Sequence, residues 1–322
     1  MKIGIAYDTP EMYDLKSNRI HYDFAEQLSI DEIKLSLLKS GYEVELIGNS
    51  KNILELIKLN RLDCDLVYNT VEGIGTRNRE GLVPAILEAY GIPYTGTDSF
   101  GISLTLNKML TKLLAEKIGI NTPPFYFVER NDTYDNILSG IQSLNLPIII
   151  KPNFEGNSSG ICIQNTIEET IQSVFELRKK YNTEILCEEF IRGMEVTVPI
   201  IGNNNDLTSV ATTVDIQTND DFWLDVNCKV FGDYKNIIIE DYSLSYKLLE
   251  VSKKLFYAIG CKDFARFDYR VSKSNEIFFI EANPLPALFR GGSFDVLGQS
   301  LDLNYDETIK LIIETSLKRL GI

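Results

Sequence analysis

Two apolar stretches, ARFDYRV (265–271) and IFFIEAN (277–283), meet across the short polar run KSNE. Apolar strands this close in sequence are expected to pair as an antiparallel hairpin. Folding the pair about the centre of KSNE, between Ser274 and Asn275, sets Asp268 opposite Glu281 and Arg266 opposite Asn283. Side chains two apart share a face of a strand, so Arg266 points with Asp268, and Glu281 with Asn283. Directly opposed carboxylates repel and destabilise a sheet, and their apolar neighbours imply at least partial burial. A buried acid pair is costly unless a cation neutralises it. Two readings stay open on the residues alone. One is an Arg–Asp–Glu network that holds the sheet together. The other is an oxygen-ligand site for a hard divalent ion, formed by Asp268, Glu281 and Asn283 and completed by water and phosphate oxygens, as Mg²⁺ prefers.

The rest of the chain frames this hairpin. The first hundred residues alternate strand and helix: KIGIAY, then AEQLSIDEIKLSLLKSG, YEVELIG, ILELIKLNRL, CDLVYN and EGLVPAILEAYGI. Such alternation implies a parallel sheet covered by helices. SLTLNKMLTKLLAEKIGI (103–120) reads as one strong helix. A second alternating region follows, and then the strands EVTVPII and SVATTV, a polar stretch from 218 to 240, a helix at 243–259, the hairpin, and a final helix near 305–320. No linker rich in glycine and serine separates these parts.

Composition excludes several function classes. The formal charge of -14 makes duplex nucleic acid or an anionic membrane surface a poor partner, and no apolar run is long enough to span a bilayer. Five scattered cysteines without a CxxC, and an N-terminus lacking the layout of a signal peptide, point to a reducing, cytoplasmic setting. A single histidine, His21, rules out a His-rich metal site. The run GIGTRNREG lacks the GxGxxG spacing of a dinucleotide fingerprint.

IIIKPNFEGNSSGI is a strand ending in Lys151, then a glycine- and serine-bounded loop, then strand again. Gly156 and Gly160 allow close backbone approach, so the loop could cradle phosphate; a tight hairpin turn is the plainer reading. Lys108 on a helix and Lys229 in the polar stretch read as exposed lysines when taken singly. ILCEEFIRGMEV carries Glu188, Glu189 and Glu195, acids able to bind ribose hydroxyls or an adenine amino group, or simply to line a solvated edge.

Taken in order, GIPYTGTDSFGISLTLNKMLTK, IIIKPNFEGNSSGI, CEEFIRGMEVTV, ARFDYRV and FFIEANPLP resemble the D-alanine–D-alanine ligase family of ATP-grasp enzymes over nearly the whole chain. The resemblance implies an α/β (α+β) ATP-grasp fold. Its parts would be an N-terminal Rossmann-like parallel-sheet subdomain (1–104), a central subdomain (105–195) and a C-terminal subdomain bearing the metal site (196–322), with ATP between two antiparallel sheets.

By motif position, Lys108 and Lys151 would contact phosphates, and the loop of Glu155, Gly156, Asn157, Ser158 and Gly160 would close over them. Glu188, with the backbone near Glu189 and Phe190, would hold adenine, and Glu195 the ribose. Asp268, Glu281 and Asn283 would bind two Mg²⁺, with Mn²⁺ as an alternative. Arg266 would stabilise the transferring phosphoryl group, and Lys229 would reach the γ-phosphate. A carboxylate would be phosphorylated and then attacked by an amine. The partners are therefore a small carboxylate and a small amine, and homodimerisation follows by analogy alone.

The departures from the family pattern fall on substrate recognition. The HGxxGEDG segment reads EGIGTRNREG, with Glu72 for the histidine and Arg79-Glu80 for Glu-Asp. Asn157 replaces a serine, Val230 a tyrosine and Ala287 a glycine, and the serine expected for the acceptor carboxylate is shifted to Ser293. Glu26, Glu80 and His21 are further candidates for the amino-acid pocket. These changes point to a ligase with an altered substrate pair. A cell-wall D-alanine–D-alanine ligase and a nucleotide-binding regulator without catalysis are the alternatives.

Overall fold

The computed structural model describes residues 1–13, 27–215, 222–224 and 234–322. Its first sheet is parallel and formed by β1 (Lys2–Ala6), β2 (Glu43–Gly48) and β3 (Leu66–Asn69) in the order β2-β1-β3. Helices α1 (Gln27–Lys39), α2 (Ser50–Lys58) and α3 (Leu82–Ala89) connect and follow these strands. The apolar residues of α1 recur at helical spacing and bury Ile30, Ile33 and Leu37; Gly41, at φ +86°, turns the chain into β2.

The long helix expected over 103–120 is two helices, α4 (Ser99–Leu106) and α5 (Lys108–Lys117). Asn107 breaks it. Its backbone leaves the helical region at φ -89°, ψ 95°, and its side chain accepts the Leu110 amide at 3.1 Å, capping α5. The same Oδ1 accepts Asn153 Nδ2 at 3.0 Å, so a distant residue fixes the break. Lys108 thereby becomes the first residue of a new helix.

The second sheet is antiparallel: β4 (Phe125–Val128), β5 (Ile148–Pro152), β6 (Cys162–Gln164) and β7 (Ile185–Glu189) in the order β4-β7-β5-β6. Helices α6 (Tyr134–Ile141) and α7 (Ile167–Tyr181) pack with it around Ile137, Ile148, Ile150 and Val174. The third sheet is also antiparallel: β8 (Met194–Asn203), β9 (Asp206–Ser209), β10 (Thr212–Val214), β11 (Asn236–Ile238), β12 (Phe264–Val271) and β13 (Ile277–Asn283). Its order is β11-β10-β8-β12-β13, with β9 paired to β8. Helix α8 (Tyr242–Ile259) buries Leu248, Leu255 and Phe256 in the same core as Phe267 and Phe279.

The hairpin pairs Asp268 with Glu281 and Arg266 with Asn283, as the sequence pattern implies, but by a different route. The turn closes between Ser272 and Glu276, with Asn275 in the left-handed region at φ +61°. It therefore centres on Ser274, and Val271 pairs with Ile277 and Tyr269 with Phe279. Continued unchanged, this register would set Asp268 against Ile280. A β-bulge between Asp268 and Tyr269 leaves Ile280 as the extra residue and restores the acid pair.

After the hairpin, α9 (Ser293–Gln299) and α10 (Tyr305–Leu320) return to the first sheet. Leu297, Ile309, Ile312 and Ile313 share a buried core with Ile3, Ile5, Leu66 and Tyr68. Asp263, just before β12, pins this junction. It is fully buried at φ +64°. It accepts the Gly96 amide at 2.8 Å, Asn203 Nδ2 at 2.9 Å, Ser316 Oγ at 2.7 Å, and Arg319 through Nε and Nη2, both at 2.7 Å. Removing one partner of a buried ion pair strands the other. Asp263→Ala should lower the unfolding free energy by about 3–5 kcal/mol, seen as a lower urea midpoint at unchanged slope; a loss below about 1 kcal/mol would show that the junction does not depend on this carboxylate.

Candidate functional site

Strand β12 presents Arg266, Asp268 and Arg270 on one face, because alternate residues of a strand point the same way. Across the β8 ladder they face Pro199, Thr197 and Glu195; across the hairpin, Arg266 and Asp268 face Asn283 and Glu281. Arg266 grips Asp268 with Nε at 3.0 Å from Oδ1 and Nη2 at 2.9 Å from Oδ2. Thr197 Oγ1 donates to Oδ1 at 3.1 Å and Asn283 Nδ2 to Oδ2 at 2.9 Å. Burial works against the charge on Arg266, but Asp268, and Glu281 beyond it, hold its pKa above the ordinary arginine range. Glu281 lies 3.6 Å from Lys108 Nζ.

A second charged cluster is built from β5, β7 and α5. Glu188 is fully buried, with Lys112 Nζ 2.6 Å from Oε1 and Lys151 Nζ 2.6 Å from Oε2. Burial alone would raise the Glu188 pKa; the two ammonium groups outweigh it and hold it below the usual glutamate range. For Lys112, burial dominates and lowers the pKa despite Glu188. Lys112 also approaches the Phe279 carbonyl, at 3.4 Å, so the cluster joins α5, β5 and β7 to β13.

The loop itself is clamped at its base. Asn153 is buried, accepts the Met109 amide through Oδ1 at 3.0 Å, and donates to Asn107. Two consecutive carbonyls then meet cations: Phe154 accepts Arg79 Nη1 at 2.6 Å and Glu155 accepts Lys108 Nζ at 2.5 Å. Asn157 and Ser158 have φ of +46° and +58°. Gly160, at φ +73°, packs so closely that an added Cβ would come within 2.8 Å of Pro152 and 2.7 Å of Tyr181. Ser158 Oγ donates to the Leu224 carbonyl at 3.0 Å, and the Leu224 amide donates to Glu195 Oε2 at 3.0 Å.

The structure thus brings Lys108, Lys151, Glu155, Gly156, Asn157, Ser158, Gly160, Glu188, Glu195, Arg266, Asp268, Glu281 and Asn283 onto the facing surfaces of two sheets and the loop between them. The Glu189 side chain turns away and accepts the Asn145 amide, while the Glu189 and Phe190 amides donate to Pro124 and Pro147. Glu72 is anchored through its amide to Asp8, a buried acid at the end of β1 that also accepts the Gly73 amide and the Tyr13 hydroxyl. Glu80 pairs with Arg79 at 3.1 Å. Ala287 is exposed and has no positive φ, so the missing glycine costs no backbone strain there. Ser293 is buried at the start of α9. Glu26, His21, Lys229 and Val230 lie outside the described residues.

Two residues of this surface escape a motif reading, Lys112 and Arg270. Both left a signal. Lys112 stands four residues after Lys108 on a leucine-rich helix, hence on the same face. Arg270 shares the parity of Arg266 and Asp268 on the same strand.

The donor set suits a hard ion. Among the described residues no group of three or more His, Cys, Asp or Glu is arranged to hold a metal. What β12 and β13 offer is two opposed carboxylates and an amide oxygen. That is too few for an all-protein cage, and it is the sort of partial oxygen shell that Mg²⁺ completes with water and phosphate.

The Glu188 cluster makes a pH-dependent contribution to stability. Its folded pKa is depressed, so the stabilisation is complete above about pH 4.3 and is lost as pH falls through the folded value. In Glu188→Gln the acid limb of a stability-versus-pH curve should flatten, and stability near neutral pH should drop by about 3 kcal/mol because two lysines lose their shared carboxylate. Urea unfolding across the acid range checks both; an unchanged limb would assign acid sensitivity to other groups.

Comparison with known proteins identifies relatives in sequence and fold. Residues 114–314 match the family profile described as D-ala D-ala ligase C-terminus. The chain is 30% identical over 298 residues to a D-alanine–D-alanine ligase of Carboxydothermus hydrogenoformans, covering 89% of this chain and 92% of that one. The fold is similar to that of the ATP-complexed D-alanine–D-alanine ligase of Bacillus anthracis, with a TM-score of 0.77, 22% identity and coverage of 99% and 98%. It is also similar to the VanG D-Ala:D-Ser ligase of Enterococcus faecalis, with a TM-score of 0.75, 19% identity and coverage of 98% and 99%. On sequence and fold, the chain belongs to the D-alanine–D-alanine ligase family of ATP-grasp ligases.

Proposed function

We propose that this chain is an ATP- and Mg²⁺-dependent ligase that joins a small carboxylate to an amine through an acyl phosphate, with a substrate pair other than two D-alanines. The nucleotide lies between the β5–β7 and β8–β12–β13 surfaces. Lys108 and Lys151 meet its phosphates, the 155–160 loop covers them, and Glu195 accepts from the ribose hydroxyls. Glu188, paired with both lysines, acts by fixing Lys151 and Lys112 beside the phosphates.

A carboxylate oxygen attacks the γ-phosphorus and ADP leaves. The amine nitrogen then attacks the acyl carbon, inorganic phosphate departs with the C–O bonding pair, and the nitrogen loses a proton as the amide forms. Both steps bring anions together, so the chain's task is preorganised positive charge in a water-poor cleft. Arg266, already oriented by Asp268, supplies it at the transferring group. Asp268, Glu281 and Asn283 would hold Mg²⁺, which shields the phosphate oxygens. No side-chain nucleophile is needed, which fits a chain with one histidine.

The altered substrate pair rests on one observation: Glu72 stands where the family pattern has histidine, and the buried Asp8 fixes its backbone in place. An imidazole can meet a substrate carboxylate, whereas an ionised glutamate repels it, so a different group of the substrate is expected there. The neighbouring departure, Arg79, is turned inward to the phosphate loop.

The test is ADP release in Mg²⁺-ATP with D-alanine alone and then with pools of other amino acids and amines, with product masses recorded. Stimulation and an amide product from the pools, but not from D-alanine, is the expected result. D-alanyl-D-alanine formed at a useful rate would overturn the altered pair, and ADP release without any amide would overturn the ligase. With the competent pair, Asp268→Asn and Glu281→Gln should each lower kcat by about a hundredfold or more, a loss of several kcal/mol of transition-state stabilisation. Chelation should abolish turnover and added Mg²⁺ restore it; turnover that survives chelation would exclude a metal at this hairpin.

A further inference from the structure

Arg270 is 6% exposed, although nothing in the reaction described above uses it. Burying a guanidinium is costly unless its donors are satisfied. Here they converge on three separate pieces of the cleft wall. Nε donates to the Ile191 carbonyl at 2.9 Å, just beyond β7. Nη1 donates to the Phe222 carbonyl at 2.7 Å and lies 3.5 Å from Glu195 Oε2. The guanidinium carbon sits 5.0 Å from the centre of the Phe190 ring, within cation–π range. Arg270 and Glu195 are direct cross-strand partners on β12 and β8, and the Leu224 amide donates to the same carboxylate oxygen at 3.0 Å.

We propose that Arg270 is a positioning residue for the sugar end of the nucleotide site: it orients the Glu195 carboxylate toward the ribose hydroxyls and ties it to the Phe190–Ile191 and 222–224 walls. The proposal rests on Glu195 being the ribose acid. A glutamate carries three rotatable side-chain bonds, so a carboxylate that must accept from two vicinal hydroxyls gains from being held before the nucleotide arrives. The planar, multi-donor guanidinium can hold two walls and a carboxylate at once, which a lysine ammonium does with poorer geometry.

The experiment measures Kd for Mg²⁺-ADP and for its 2′,3′-dideoxy analogue by calorimetry on the full chain and on Glu195→Gln, Arg270→Met and Arg270→Lys. It needs no knowledge of the carboxylate or the amine. The native chain should prefer ADP by about ten- to a hundredfold, the worth of a hydrogen bond to a charged group. Glu195→Gln should remove most of that preference. Arg270→Met should remove at least about half of it on a logarithmic scale while binding the dideoxy nucleotide within about threefold of the native chain, and Arg270→Lys should recover part of it. If Arg270→Met fails to fold, Arg270→Lys carries the comparison, since it keeps the charge and loses the fork. Loss of preference in Glu195→Gln with the native ratio kept in the Arg270 variants would overturn the proposal alone. Equal weakening of both nucleotides in the Arg270 variants would overturn it too, by showing a general packing role. A native ratio in Glu195→Gln would overturn the ribose assignment beneath it.

Discussion

One fully buried carboxylate shared by two lysines conditions the rest of the cleft. Glu188 carries a single negative charge against the two positive charges of Lys112 and Lys151. Without those ammonium groups burial would drive the Glu188 pKa up; without the glutamate the two buried lysines would lose the partner that holds them together. Together they hold two lysine side chains and a carboxylate in a place where water screens charge poorly. The cluster is also mechanical. Lys151 comes from β5, Glu188 from β7 and Lys112 from α5, and Lys112 reaches on to the Phe279 carbonyl of β13. The floor of the cleft and the strand that bears Glu281 are therefore registered to each other by the same charges.

The opposite wall obeys a simpler rule. Every second residue of β12 faces the cleft, so one strand supplies Arg266, Asp268 and Arg270 at even spacing, and the ladders to β8 and β13 bring Thr197, Glu195, Glu281 and Asn283 alongside. The sheet works as a ruler: the acid pair, the arginine and the acid read as ribose-binding are separated by whole two-residue steps.

Much of this was legible in the sequence, for identifiable reasons. The alternation of apolar and charged residues in ARFDYRV and FFIEAN dictates which side chains share a face, and the chain's ordered motifs place the phosphate loop and the two sheets. The turn was misplaced by half a residue, and the compensating bulge hid the error, because local turn chemistry at Ser272 and Asn275 sets one register and the sheet another. The helix break at Asn107 was invisible because its cap is completed by Asn153, 46 residues away. Lys112 and Arg270 drew no reading from the sequence, because burial of a charge depends on partners that sequence proximity does not reveal: Glu188 for one, and the Ile191 and Phe222 carbonyls for the other.

The bulge at Ile280 has a consequence for how this hairpin can vary. Parity along a strand decides which face a side chain occupies, and the bulge is a one-residue parity correction inserted between the turn and the acid pair. The turn beyond Val271 and Ile277 therefore keeps a register set by its own closure, whereas Arg270 and Phe279 still belong to the cleft wall and its floor. Pairs of residues could be gained or lost at the tip without moving Asp268 off Glu281, whereas a single-residue change there would have to be absorbed by removing the bulge or adding a second one. The turn from Ser272 to Glu276 is thus a segment whose length is constrained in its oddness, while Tyr269, Val271 and Phe279 on either side of it are held by the core.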